Sequence, residues 1–121
     1  MSTRCQVKVI CNGQSIMLYH HCDGYPEGVG YCLLKILKLI KDKRRSPFVI
    51  NDMVKKGDFE ITFFNHADIE YYYEIDFDKQ IVSCAEVDCW EKTMEILRII
   101  DLVYDKEKDV GVDEQPFSKE N

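Results

Sequence analysis

A glycine-rich segment at residues 22–30 constrains the fold of this chain more than any other stretch. It reads Cys-Asp-Gly-Tyr-Pro-Glu-Gly-Val-Gly, with three glycines and one proline in nine positions. Glycine and proline at this density end a β-strand and keep an α-helix from starting before about Val29. The segment therefore predicts a shaped loop that separates two kinds of regular structure.

Opposite periodicities flank this loop. Before it, apolar and polar residues alternate over residues 5–10, Asn12-Gly13 is a strong hairpin signal, and residues 15–20 continue as a second strand. After it, apolar residues recur at steps of three and four, which predicts an amphipathic helix ending near Arg44 or Arg45. The members of this apolar series are Val29, Cys32, Leu33, Ile36, Leu37 and Ile40.

The rest of the chain supplies a second helix, three strands and a last helix. Ser46-Pro47 favours a helix start and Gly57 a helix stop, while aromatic and β-branched runs at 59–64, 69–76 and 80–87 predict an antiparallel meander. Asp88 is a candidate cap for a last helix that turns apolar residues to the sheet: Trp90, Met94, Leu97 and Ile100. The order ββααβββα predicts an α+β fold with a mostly antiparallel sheet and helices packed on one face.

The length of 121 residues favours one domain, which we place at residues 1–104. Residues 105–121 are polar and without periodicity, so we expect an acidic, flexible tail. The first residues do not resemble a targeting segment and no apolar run is long enough to span a membrane, so we expect a cytoplasmic protein. The six cysteines contain no C-x-x-C pair, and we expect them to be reduced thiols.

The charge is distributed unevenly along the chain. The net charge is −6, but residues 1–57 hold ten Lys/Arg and four Asp/Glu, whereas residues 58–121 hold six Lys/Arg and eighteen Asp/Glu. An acidic excess of this size excludes a protein that coats nucleic acid through its overall field. It suits a partner with a basic surface instead.

The glycine-rich loop is the first candidate site. Backbone N–H groups at a helix start attract anions, and glycines allow close approach, so the loop could hold a small anionic ligand such as a nucleotide. The spacing matches neither a dinucleotide fingerprint nor a P-loop, and a turn that serves folding alone remains an alternative. His20 and His21 should point to opposite faces, so we predict no metal site and no cofactor. The candidate ligand-binding residues are His20, His21, Asp23, Gly24, Tyr25, Glu27, Gly28, Gly30 and Lys35.

The second candidate site lies on the predicted meander. Alternation places Glu70, Tyr72, Glu74 and Asp76 on one side of their strand. An acidic face of this kind could imitate a phosphate backbone toward a basic groove, while packing within the sheet is the alternative for its tyrosine. We therefore treat these four residues as a candidate protein interface.

The N-terminal third of the chain resembles a sequence signature. Ser2-Thr3-Arg4, Tyr19-His20-His21 and the run Asp23-Gly24-Tyr25-Pro26-Glu27-Gly28-Val29-Gly30 are similar to small proteins of phages, prophages and gut-bacterial mobile elements. Those proteins commonly have Trp where this chain has Cys22. The resemblance implies a small accessory protein of phage type, a kind that often acts by binding host factors.

These observations lead to three hypotheses. The first is a non-enzymatic binding protein that counters host defence, either by sequestering a nucleotide signal in the loop or by blocking a host effector with the acidic face. The second is a small hydrolase or nucleotide-processing enzyme that uses His20 or His21 with Asp23 and Glu27. The third is a structural module that forms homo-oligomers.

Overall fold

A computed structural model describes residues 3–39, 46–90 and 93–102 of the chain. It is a mixed α/β protein with a six-stranded, mostly antiparallel sheet and two α-helices. The strands are β1 (Cys5–Cys11), β2 (Gln14–His20), β3 (Glu60–Thr62), β4 (Tyr71–Asp76), β5 (Ile81–Trp90) and β6 (Thr93–Ile100). The helices are α1 (Tyr31–Leu39), which continues a π-helical turn at Pro26–Gly30, and α2 (Ser46–Lys55). The predicted end of α1 near Arg44 and the tail at 105–121 lie outside the described residues.

The predicted N-terminal hairpin is present. β1 and β2 pair antiparallel through the turn at Asn12-Gly13, where both residues have a positive φ of 56° and 73°. Two left-handed residues in sequence give the type of turn whose twist matches that of the strands. The backbone N–H groups of Asn12 and Gly13 donate to the carboxylate of Asp78, at 2.8 and 2.9 Å. The β1–β2 turn is thereby tied to the turn between β4 and β5.

The sheet order is β3-β2-β1-β4-β5-β6, and it corrects the predicted meander. The run at 59–64 forms only the short β3, which pairs with β2 at one edge and not with β4. β4 lies beside β1 in parallel, since the chain passes from one edge of the sheet to its centre between β3 and β4. The meander consists of β4, β5 and β6.

The predicted last helix is wrong, because residues 93–100 form the edge strand β6. β6 pairs antiparallel with β5, and the register shifts between Glu86 and Val87. Glu86 faces Arg98 and Val87 faces Ile96, so Leu97 is an extra residue without a partner on β5. This bulge moves the apolar residues out of strict alternation and gives them the helical spacing that the sequence shows.

One buried cluster joins both helices to one face of the sheet. Val7, Leu18 and Tyr73 of the strands lie in it together with Leu33 of α1 and Met53 of α2. We call this the helix-side face. Buried apolar surface here is the main source of stability, at about 25 cal/mol per Å².

The opposite face, which we call the second face, is partly covered by the segment between β3 and β4. Gln6 is fully buried there, and its amide donates to the Phe64 carbonyl at 3.3 Å and accepts from the His66 N–H at 2.7 Å. The His66 ring stacks on Tyr19 with centroids 3.9 Å apart, and the Tyr19 hydroxyl donates to Asp68 at 2.8 Å. These bonds satisfy a buried polar side chain and fix where β4 enters the sheet.

Candidate functional site

Hydrogen bonds to the sheet hold the glycine-rich loop. The Gly24 N–H donates to the Thr3 carbonyl at 2.9 Å, and the buried Tyr73 hydroxyl donates to the Gly24 carbonyl at 2.7 Å. A Cβ on Gly24 would stand 2.8 Å from Cβ of Cys5, and one on Gly28 would overlap the carbonyl oxygen of Asp23. Close packing against the chain's own backbone therefore requires glycine at these two positions.

The helix start is already supplied with internal hydrogen-bond acceptors. The Gly28 N–H donates to the Tyr25 carbonyl at 2.9 Å, and the Val29 N–H donates to the Asp23 carbonyl at 3.0 Å. The π-helical turn begins at Pro26, earlier than the predicted start near Val29. N–H groups bonded in this way are not available to an anion approaching the loop.

His20 packs into the protein beside Cys22. Its ring stacks on Phe59 with centroids 4.1 Å apart, and its Nδ1 lies 3.3 Å from the carbonyl oxygen of Asp58. Because that oxygen only accepts, Nδ1 carries the proton and Nε2 accepts from the Cys22 thiol, whose Sγ is 3.6 Å away. Asp23 and Asp58, at φ values of 55° and 60°, hold two left-handed backbone positions next to this pair.

The electrostatics of this pair favour two neutral groups. Burial lowers the pKa of His20 below its ordinary value. Burial and then the nearby charges of Asp23 and Asp58 raise the pKa of Cys22. Activated cysteines usually lie in electropositive surroundings that lower the thiol pKa, so this geometry orients the loop without activating a nucleophile.

The other predicted loop residues occupy different environments. Asp23 and Tyr25 are exposed and hydrogen-bonded to each other, with the Tyr25 hydroxyl donating to Asp23 at 3.2 Å, and this bond raises the pKa of Tyr25. His21 is exposed, with its ring centroid 6.0 Å from that of His20. Lys35 is 92% buried on α1, since only 8% of its surface is exposed. The structure therefore brings together His20 with Cys22 and Asp23 with Tyr25, but it does not gather the predicted set around one ligand position.

A cavity of about 360 Å³ opens beside the π-helical turn. The charged side chains that line it are Glu27, Arg98 and Asp101, and the Arg98 Nε is bonded to Glu86 at 3.1 Å. Two carboxylates and one paired guanidinium give this cavity no cationic excess for a phosphate. Of the predicted site residues, only Glu27 lines this cavity. Tyr71 and Arg98, which also line it, belong to β4 and β6, and their proximity depends on the order of the strands in the sheet.

The residues of the second candidate site lie in a row along β4 and just before it. Tyr72, Glu74 and Asp76 are each partly exposed, while Tyr73 and Ile75 between them are buried. Alternation along β4 places Tyr72 and Glu74 on the second face, and the Tyr72 hydroxyl donates to Glu74 at 3.0 Å. Burial, followed by the charge of Glu74 and this bond, raises the pKa of Tyr72. Asp76 accepts from the N–H groups of Asp78 and Lys79, at 2.9 and 3.0 Å, and so belongs to the turn. Glu70 is exposed just before β4.

Exposed apolar side chains adjoin this row, and two of them, Trp90 and Leu97, are residues that the predicted last helix would turn toward the sheet. Among the described residues, ten large hydrophobic side chains are exposed, and five of them belong to β5 and β6: Ile81, Trp90, Ile96, Leu97 and Ile99. Ile99 neighbours Ala85, which neighbours Tyr72, so the three share the second face. Exposed apolar groups beside carboxylates and a tyrosine are typical of protein interfaces.

No protein-family model matches the chain, and no curated protein or solved structure is significantly similar to it. Within the part of the chain that the structure describes, neither helix is long and apolar enough to cross a membrane.

Proposed function

We propose that this chain is a small non-enzymatic binding protein that blocks a basic surface on a host protein with the second face of its sheet. The proposal combines the acidic row formed by Glu70, Tyr72 and Glu74 with the resemblance of the N-terminal third to small proteins of phages and mobile elements. Host cytosol is the proposed place of action, and interference with a defence effector is the proposed outcome.

The row formed by Glu70, Tyr72 and Glu74 carries this proposal. Both carboxylates are presented on or beside a regular strand, and the bond from Tyr72 orients Glu74. Lys8 is the neighbour of Glu74 on β1, which leaves the row acidic but not uniformly charged. Carboxylates fixed in a row on a sheet can pair with arginines and lysines that ordinarily contact phosphates.

The loop geometry favours this version over sequestration of a nucleotide. The N–H groups of Gly24, Gly28 and Val29 are bonded to carbonyls, and Lys35 is buried. Substitution of Gly24 or Gly28 would therefore disturb the loop backbone before it tested ligand binding. The interface residues are the better targets for mutation.

The first prediction concerns retention of a partner. We expect affinity purification of the tagged full chain from host cells, followed by native mass spectrometry, to yield a stoichiometric protein with a basic binding surface. The double variant E70K/E74K should weaken its retention at least about tenfold, since it places like charges at the contact. Higher salt should weaken retention by the unmodified chain.

The matched control is E27K/D88K, which changes the net charge equally at two exposed carboxylates outside the row. It should retain the partner. Equal loss in both double variants would show a nonspecific charge effect and contradict the proposal. A retained nucleotide in place of a protein would instead support sequestration.

A further inference from the structure

β6 is a long, apolar edge strand. It is last in the sheet order and pairs with β5 on one side, and among the described residues no strand lies along its other side. The opposite edge strand, β3, has only three residues, whereas β6 has eight. Native sheets usually protect an edge by short length, proline, charged side chains or a bulge. β6 has eight residues without proline or lysine, and its protection is limited to Glu95, Arg98 and the bulge at Leu97.

The side chains of β6 are suited to burial. Ile96, Leu97 and Ile99 are 54%, 56% and 67% exposed. Each would lose apolar surface to a strand added at this edge, and backbone N–H and C=O groups would gain partners. The edge therefore fits a β-strand as its occupant.

The two charges on β6 indicate which strand fits. Glu95 faces Asp88 on β5, and Arg98 faces Glu86. Because Leu97 is the extra residue of the bulge, Glu95 and Arg98 lie on the same face of the sheet, on either side of the middle of the strand. Glu95 thus has a like charge beside it within the chain and no cation opposite it on β5.

We propose that β6 pairs antiparallel with β6 of a second copy of this chain, about a two-fold axis near Ile96 and Leu97. In this register Glu95 of each copy lies opposite Arg98 of the other, and Met94 lies opposite Ile99. A parallel pairing in register would place Glu95 against Glu95 and Arg98 against Arg98. Only the antiparallel arrangement matches unlike charges and buries the isoleucines at one seam.

This inference goes beyond the proposed function. It needs no host partner, and it would join the second faces of two copies into one continuous surface. Its residues also differ from the row tested by E70K/E74K, so either proposal can fail while the other holds.

The second prediction is that the full chain is a dimer at micromolar concentration. Sedimentation equilibrium should give twice the 14.2 kDa of one chain. E95R and R98E should each raise the dimer Kd at least about tenfold, because each places like charges opposite each other twice per dimer. An equimolar mixture of the two variants should restore the dimer, since every pair across the seam is then Arg against Glu.

E60R is the matched control for E95R, as it makes the same substitution at an exposed residue of β3, at the opposite edge of the sheet. It should leave the dimer Kd unchanged. Circular dichroism on each variant separates a loss of dimer from a loss of fold, which matters most for R98E because Arg98 also bonds Glu86. The proposal would be overturned if the unmodified protein had the mass of one chain at all concentrations up to about 100 μM. A dimer Kd that is equal in E95R and E60R, or a mixture of E95R and R98E that stays monomeric, would also overturn it.

Discussion

His20 and His21 are adjacent in the chain, yet the fold gives them opposite environments. His20 is buried between Phe59 and the Asp58 carbonyl, whereas His21 is exposed. The alternation of strand β2 explains this difference, and the sequence predicts it. The hydrogen bond from His20 to Asp58 could not be predicted, because it joins residues 38 positions apart.

The third prediction uses the lowered pKa of His20. When the folded pKa of a base lies below its unfolded value of about 6.5, the unfolded chain binds more protons between the two values. The contribution of His20 to stability is therefore complete above the unfolded pKa and is lost as the pH falls toward the folded pKa. Urea unfolding at pH 7.5 and 5.5 should show a smaller pH dependence in H20Q than in the unmodified chain.

His21 offers the control for this experiment. H21Q removes an imidazole at the neighbouring position without removing a buried one. We expect the difference in unfolding free energy between the two pH values to remain as in the unmodified chain. An H20Q variant with the full pH dependence would show that other groups cause it.

Among the elements, the hairpin and the helix α2 could be predicted because their signals are local. Asn12-Gly13 specifies its turn, and Ser46-Pro47 with Gly57 brackets α2 closely. At the end of α2, the residue with a positive φ is Asp58, one position after Gly57, where the sequence predicts the helix stop. Short-range backbone chemistry thus located these elements to within one or two residues.

Strands β3 and β6 show where local signals are insufficient. The bulge at Leu97 gives β6 the spacing of an amphipathic helix, although Thr93, Ile96 and Ile99 are β-branched. The partner of β3 is set by the crossing segment that Gln6 anchors, and no local pattern reports such a contact. The acidic row was predicted because it needs only the period of one strand.

The fourth prediction concerns the bond between two turns. Asp78 accepts from the N–H groups of Asn12 and Gly13, which joins the β1–β2 turn to the β4–β5 turn. D78A should lower the free energy of unfolding by about 1–2 kcal/mol, because two backbone donors lose a charged acceptor at an exposed site. D88A removes an exposed carboxylate from β5 and should change this free energy by less than about 0.5 kcal/mol. Equal effects in urea unfolding would contradict a specific role for Asp78.

At the scale of the whole molecule, the net charge of −6 is distributed unevenly over different regions of the fold. Four of the ten Lys/Arg residues of the N-terminal half lie at 41–45, outside the described residues, while Glu70 and Glu74 are acidic groups on or beside β4. Glu74, Ile96 and Ile99 lie on the second face and at its outer edge. Binding is therefore better supported by this side of the sheet than by the glycine-rich loop.

The fifth prediction tests whether the chain is one cooperative unit with reduced thiols. All six cysteines lie within the described residues without a disulfide, and Cys5, Cys32, Cys84 and Cys89 are buried, while Cys11 and Cys22 are partly exposed. Burial raises the pKa of Cys84 to about 11, so it resists thiol reagents by lack of access and by lack of thiolate. A thiol reagent at neutral pH should modify the two partly exposed cysteines of the native protein before the other four, with Cys22 slowed by its raised pKa, and the four buried cysteines should react only at the rate of global opening. In denaturant, all six cysteines should react rapidly. If the four buried cysteines of the native protein reacted at four different rates, the core would open locally and independently and would not be one cooperative unit.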